Sequence, residues 1–231
     1  MYLREKVVLV TGAKGGLGNF VTNAFLEAGA RVVGTALSIG DSDFPSERFT
    51  AIAGEIKNRE NAKALVDAVL AKYSRVDGLV HLVGGFAGGK SLAETDDATF
   101  DKMVDLNIRT AFLMMGAVLP HMRSQGSGRI LAIGSKAAVE PAPMAAVYAA
   151  TKAALVSLVR TVARENVDKK ITANLVLPGT MDTPANRASD SSADFSKWVQ
   201  PSQVAQLLVH LMSDTSSQIS GAVIPVLGGE A

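Results

Sequence analysis

The chain has 231 residues, 48% of them hydrophobic, which suits one domain with a single large core and does not require a second. Its 23 Lys and Arg residues nearly balance 22 Asp and Glu, so no broad field draws it to nucleic acid or to an anionic membrane, and small molecules are the expected partners. Cysteine is absent, which excludes disulfides, thiolate metal sites and thiol catalysis, and no metal site is expected.

The opening Met1-Tyr2-Leu3-Arg4-Glu5-Lys6 is charged and runs straight into a strand-like segment at 6–11. That leaves no apolar stretch for a signal peptide, and a cytoplasmic protein is expected. A glycine-rich turn and a helix over 16–28 follow, then strands at 31–35 and 49–53, a helix over 59–72 and a strand at 78–83. A long helical pattern spans 96–124, with strands at 129–133 and 171–177 on either side of a helix over 145–166. The last elements are a helix over 201–212 and a strand at 222–226. Apolar runs such as 111–119 are too short to cross a bilayer and are expected to be buried helix.

Strands that are apolar throughout, alternating with amphipathic helices, predict a doubly wound α/β fold: a seven-stranded parallel sheet with helices on both faces. No repeat or linker divides the chain. The polar stretch over 179–199 follows a strand end, where ligands sit in such sheets, and is expected to be a substrate lid ending near residue 200 or else a surface loop.

Three local patterns carry chemistry. Thr11-Gly12-Ala13-Lys14-Gly15-Gly16-Leu17-Gly18 joins the first strand to the first helix, where glycines let the backbone approach a pyrophosphate and the helix amides and dipole meet its charge. Tyr148 and Lys152 are four residues apart, on one helix face, and an ammonium there makes the phenol a usable acid and base near neutral pH. Ser135 follows the strand at 129–133, thirteen positions before Tyr148, where its hydroxyl can polarise a substrate oxygen.

The Thr-Gly-x-x-x-Gly-x-Gly spacing resembles the short-chain dehydrogenase/reductase family, and the likeness extends from Thr11 to the last strand. It implies a single-domain nicotinamide-dependent oxidoreductase with Gly12, Gly16 and Gly18 forming the dinucleotide turn. It further implies that Asn107, Ser135, Tyr148 and Lys152 act together, Asn107 holding a water that joins Lys152 to solvent. Glu55-Ile56 stands where the family holds the adenine, and Pro178-Gly179 with Thr183 where it meets the nicotinamide carboxamide. Homodimers or homotetramers are implied, built on the helices at 96–124 and 145–166, with Ala149, Ala150, Ala153 and Ala154 available for close packing or for the sheet.

The chain departs from the family at several places. Where the strand at 78–83 is usually followed by Asn-Asn-Ala-Gly, it has His81-Leu82-Val83-Gly84, keeping the glycine. His81 is expected to be a core histidine bonded to backbone. Ala36 replaces the acid that binds the ribose hydroxyls of NAD, whereas Lys14 and Ser38 could receive a 2′-phosphate, so NADP is favoured slightly and NAD remains open. Asp41 and Asp43 come too late for the strand end on this reading. The stretches 84–89, 181–187 and 193–198 are similar to dihydropteridine reductase, a family branch, which offers a pterin substrate as an alternative, with Phe86 and Trp198 as stacking surfaces. A third possibility is a regulatory protein that senses NAD(P) without turnover.

Overall fold

The computed structural model describes residues 3–230; Met1 and Tyr2 of the charged opening lie outside the described residues. Its strands are β1 (Val7–Thr11), β2 (Arg31–Ala36), β3 (Phe49–Ala53), β4 (Gly78–His81), β5 (Gly128–Ile133), β6 (Ile171–Pro178) and β7 (Val223–Val226). All pair in parallel in the order β3-β2-β1-β4-β5-β6-β7. The order reverses between β1 and β4, and in such sheets the crevice for a ligand opens at the carboxyl ends of the strands flanking that point.

Helices cover both faces. On one, α1 (Gly18–Glu27) and α7 (Pro201–Met212) bury Phe25, Leu26, Val204 and Leu208 against β1, β4 and β5. On the other lie α2 (Arg59–Tyr73), α3 (Asp97–Val104), α4 (Thr110–Gln125) and α5 (Ala146–Glu165), with Val66, Met114, Val118, Leu155 and Val159 in the core. A short α6 (Pro184–Ser189) stands between β6 and α7. This double cover is why β6 is buried at every residue and reads as one apolar run.

The predicted helix over 96–124 is interrupted. Asp105–Arg109 form a π turn between α3 and α4, in which the Thr110 amide donates to the Asp105 carbonyl. Nothing in the polar and apolar pattern marks such a turn, because its neighbours remain amphipathic. Two other boundaries differ by two residues: α1 starts at Gly18, after the glycine turn, and β4 ends at His81. Beyond it the Leu82 amide makes one last bond to the Thr11 carbonyl at 3.2 Å before the chain leaves the sheet.

The combined helical run Asp97–Gln125 and α5 are long and apolar enough to pass a composition test for a membrane span, with mean hydropathies of 1.2 and 1.3. In the fold one face of each packs on the sheet through Met114, Val118, Leu155 and Val159, while Phe100 and Phe112 stay exposed.

Helix ends follow local chemistry. Asn58 caps α2 by accepting from the Asn61 amide at 2.9 Å, Asp96 caps α3 by accepting from Thr99 at 2.8 Å, and Gly126 ends α4 at φ +69°. The stretch over 179–199 is more ordered than its composition suggests: Thr183 caps α6, Pro184 occupies its first position, and Met181 bridges to Val199. The Thr-Pro pair was the available signal for that helix.

Gly18 is the tightest point in the glycine turn, since a Cβ there would lie 2.0 Å from the Gly12 carbonyl oxygen. Gly18→Ala is expected to destabilise the protein by about 2 kcal/mol or more in urea unfolding. Gly54→Ala, where an added Cβ meets nothing within 4 Å, should stay within about 0.5 kcal/mol of the parent.

Candidate active site

At the carboxyl end of β1, Gly12 adopts φ +70°, and an added Cβ would press on the Leu82 and Val83 backbone at 3.3 Å. The Gly15 amide closes the turn on the Gly12 carbonyl at 3.0 Å, and the buried Leu17 precedes α1 as its cap residue without a side-chain capping bond. No acidic side chain stands in the first turn of α1, so its amides and positive dipole end face a glycine-lined cradle. These residues fit a dinucleotide pyrophosphate. Thr183, buried, reaches the same cradle: a Cβ on Gly16 would lie 3.2 Å from its methyl carbon. It stands just beyond Pro178, the last residue of β6, and Gly179, whose amide donates to Val226 at 2.9 Å.

The second group gathers at the ends of β4, β5 and α5. Ser135 leaves β5 extended, accepts from the Ala137 amide at 3.2 Å, and lies near enough to the Tyr148 hydroxyl to favour its ionised form. Burial raises the Tyr148 phenol above its ordinary value, and the nearby Ser135 hydroxyl opposes that rise. One turn along α5, the Lys152 ammonium lies 5.9 Å from the centroid of the Tyr148 ring and donates to the Ile133 carbonyl at 3.1 Å. Burial pushes Lys152 down to about 8.

Asn107 sits in the π turn and is buried. Its Oδ1 accepts from the Gly85 amide at 2.9 Å, while Nδ2 donates to the Gly85 carbonyl and to Thr151 Oγ1, each at 3.1 Å. The side chain thus straps the β4 exit loop to α5. Gly84 lies between the two groups, since an added Cβ would be 2.9 Å from Asn107 Oδ1 and 3.2 Å from Lys152 Nζ. Only a hydrogen leaves room for both. All four residues of the expected constellation therefore converge, and the glycine of the altered motif is the one that lets them.

His81 corrects an expectation: its partners are threonine hydroxyls, not backbone. Thr110 Oγ1 donates to the Leu106 carbonyl at 2.7 Å, so it accepts from His81 Nε2 at 3.2 Å, and His81 Nδ1 in turn accepts from Thr11 Oγ1 at 2.9 Å. This assigns the neutral Nε2–H tautomer from the network. Burial, with a smaller push from the Lys152 charge, lowers His81 to about 3.

The remaining expected residues fall in varied surroundings. Trp198 is only 8% exposed and packs on Phe195, so it offers no stacking face, whereas Phe86 is 69% exposed with its ring edge-on to Tyr148 at 5.0 Å. Glu55 is exposed and pairs with Lys57 at 2.8 Å; Ile56 packs against the core. Ser38 is exposed beyond the end of β2. Asp43, read as coming too late for the strand end, lies 2.8 Å from Lys14. A folded-back loop, invisible to spacing, brings it there. Among the described residues no cluster of three or more His, Asp or Glu side chains is arranged to hold a metal.

A family model described as short chain dehydrogenase matches residues 6–194. The chain belongs to the short-chain dehydrogenase family. It is 30% identical to a 3-oxoacyl-(acyl-carrier-protein) reductase of Thermotoga maritima, over 99% of each chain. Among solved structures, this short-chain dehydrogenase superposes with TM-score 0.91 on a 3-ketoacyl-(acyl-carrier-protein) reductase from Brucella melitensis complexed with NADH, at 28% identity over 98% of each chain. The same score and coverage, at 27% identity, relate it to ElxO with NADP bound. As a family member it is an NAD(P)-dependent oxidoreductase.

The buried neutral His81 makes stability depend on pH. Its folded pKa lies below that of an exposed histidine, so the unfolded chain binds the extra proton between about 6.5 and 3, and stability present above that window is lost as pH falls through it. Chemical denaturation of the parent is expected to lose on the order of 1 kcal/mol per pH unit below pH 6, and His81→Asn should flatten that slope.

Proposed function

We propose that this enzyme is a carbonyl reductase or alcohol dehydrogenase in type, moving a hydride between a nicotinamide dinucleotide and a small carbonyl or hydroxyl substrate in the cytoplasm. One observation carries the reading: the Tyr148 phenol, with the Ser135 hydroxyl near enough to favour its ionised form, stands one helical turn from a buried lysine ammonium that lies 5.9 Å from its ring centroid. The bound cofactor supplies or accepts the hydride. A substrate carbonyl lodged between the two hydroxyls is polarised by Ser135 and, as it becomes an alkoxide, takes its proton from Tyr148. Lys152 stabilises the phenolate left behind, and Asn107 fixes the loop past which a water can return a proton from solvent.

Gly12, Gly15, Gly16, Leu17 and Gly18 would hold the pyrophosphate, with Gly84, Tyr148 and Lys152 lining the cleft. Pro178, Gly179 and Thr183 would hold the nicotinamide end, and Glu55 and Ile56 the adenine. A slight preference for NADP rests on Lys14 and Ser38, beside a β2 end that carries no acid; solved relatives carry NADH in one case and NADP in another. Residues 179–200 would form the lid, supported by the contact of Thr183 with the glycine turn.

The substrate side is apolar at its rim, where Phe86, Val139 and Met144 are exposed in the loops after β4 and β5. That favours a flat or conjugated carbonyl compound, and a quinonoid dihydropterin belongs in the test panel on this ground. A sensor without turnover would have no use for the assembled Ser135, Tyr148 and Lys152. We also assign homodimers or tetramers, in which the exposed Phe100 and Phe112 and the exposed Ala150, Ala153 and Ala154 would be covered by a second copy.

Loss of reduced-nicotinamide absorbance against ketones, aldehydes, quinones and a dihydropterin tests the activity. Tyr148→Phe is expected to lower kcat roughly 10²–10⁴-fold while cofactor still binds; full activity in that variant would sink the mechanism. The rate of reduction should be level through neutral pH and fall above about 8, as Lys152 loses the charge that supports the phenolate.

A further inference from the structure

Lys14 and Asp43 come from different loops and meet at the adenosine corner of the cleft. Lys14 lies in the glycine turn after β1; Asp43 ends a short 3-10 turn, Asp41–Asp43, in the loop after β2. The Lys14 ammonium is 2.8 Å from one carboxylate oxygen of Asp43 and 3.0 Å from the other. Each partner is held from its own side. Asp43 Oδ2 also accepts from the Gly40 amide at 2.9 Å, Asp41 accepts from the Ala51 amide of β3 at 2.7 Å, and buried Phe44 packs on Phe49 with ring centroids 4.8 Å apart. On the other side, the Ala13 amide ties the glycine turn to the Thr35 carbonyl at 3.1 Å.

The end of β2 is where an acid ordinarily meets the cofactor's ribose hydroxyls or a basic residue meets a 2′-phosphate. Here β2 ends in Thr35 and Ala36, neither of which carries charge. The charges that meet there are instead this pair, one cation and one anion bound to each other, with the Asp41 carboxylate turned to the Ala51 amide of β3. The carboxylate is kept ionised, first by Lys14 and then by the Gly40 amide, which hold Asp43 below its usual range.

We propose that Asp43 is an internal counter-ion that competes with the cofactor's 2′-phosphate for Lys14 and so sets the balance between NADP and NAD. The inference rests on the reading that the dinucleotide lies along the glycine turn with its 2′ corner at Lys14. A phosphate carrying nearly two negative charges needs the ammonium, and it meets repulsion from a carboxylate a few ångströms away. Ribose hydroxyls need neither the cation nor the absence of the anion. Asp43 therefore penalises the phosphorylated cofactor selectively, which keeps a chain without the β2 acid from committing fully to NADP. Asp43 positions and neutralises Lys14 and takes no part in the hydride step.

Calorimetric titration of the whole protein with NADPH and with NADH, without substrate, tests this. Asp43→Asn keeps an oxygen for the Gly40 amide while removing the charge. It should tighten NADPH by roughly fivefold at low salt, the scale of an exposed ion pair, with the gain shrinking as salt rises and NADH affinity hardly moving. An unchanged NADPH affinity, or a parallel change for both cofactors, overturns the proposal. Weakened NADH alone would mean that Asp43 itself holds the ribose, and overturns it too. Lys14→Met separates the two levels of the argument: if it weakens NADPH while Asp43→Asn does nothing, the placement of the phosphate stands and the counter-ion role falls. If Lys14→Met also leaves NADPH unchanged, the placement itself is wrong.

Discussion

The pairing of β1 with β4 is the seam on which the molecule depends. The strand order reverses there, so the connections leaving the two strands part in opposite directions and leave the cleft between them. The seam is pinned at both ends by buried polar groups. At the amino ends, Asp77 accepts from the Val7 amide at 2.8 Å and is itself gripped by Arg75 at 2.6 Å. At the carboxyl ends, His81 spans Thr11 of β1 and Thr110 at the head of α4. Buried polar groups that are fully partnered specify one register, because any slip leaves donors without acceptors in a low-dielectric interior.

From that seam the site is assembled by backbone exits. Gly12 turns the chain out of β1, Gly84 lets Asn107 and Lys152 approach each other, and Gly134 sends β5 into Ser135. Tyr148 and Lys152 join Ser135 and Asn107 there from one face of α5, one helical turn apart. Because α5 packs along the sheet through Leu155, Val159 and Val162, the position of Tyr148 is set by a hydrophobic contact that continues well away from the cleft.

Much of this was legible in the sequence, for identifiable reasons. Runs of apolar residues revealed all seven strands, the inner ones buried on both faces and the edge strands β3 and β7 only partly, and the i, i+4 spacing placed Tyr148 and Lys152 together. What escaped depended on contacts between segments distant in the chain. Asp43 lies twenty-nine positions from Lys14 and reaches it because a loop doubles back over the edge of β2. The hydroxyl partners of His81 come from two other elements, and the burial of Trp198 follows from the contacts made by the segment before α7. The π turn at Asp105–Arg109 left no trace, because a local gain of one residue does not disturb amphipathic periodicity enough to be seen.

That π turn also makes the chain's length matter at one place. It holds a residue more than the α-helix on either side, so α3 and α4 are out of phase by about 100°. Losing a single residue within Asp105–Arg109 could be absorbed as one continuous helix, with the apolar face of α4 still turned to the sheet. The strap from Asn107 to Gly85 and Thr151 would then swing out of the cleft. A one-codon loss at Ile108 or Arg109 would thus act on the placing of Asn107 more than on the packing of α4, whereas most surface loops tolerate such a change silently. The phase offset is thus a point where the protein's architecture and its chemistry can be inherited separately.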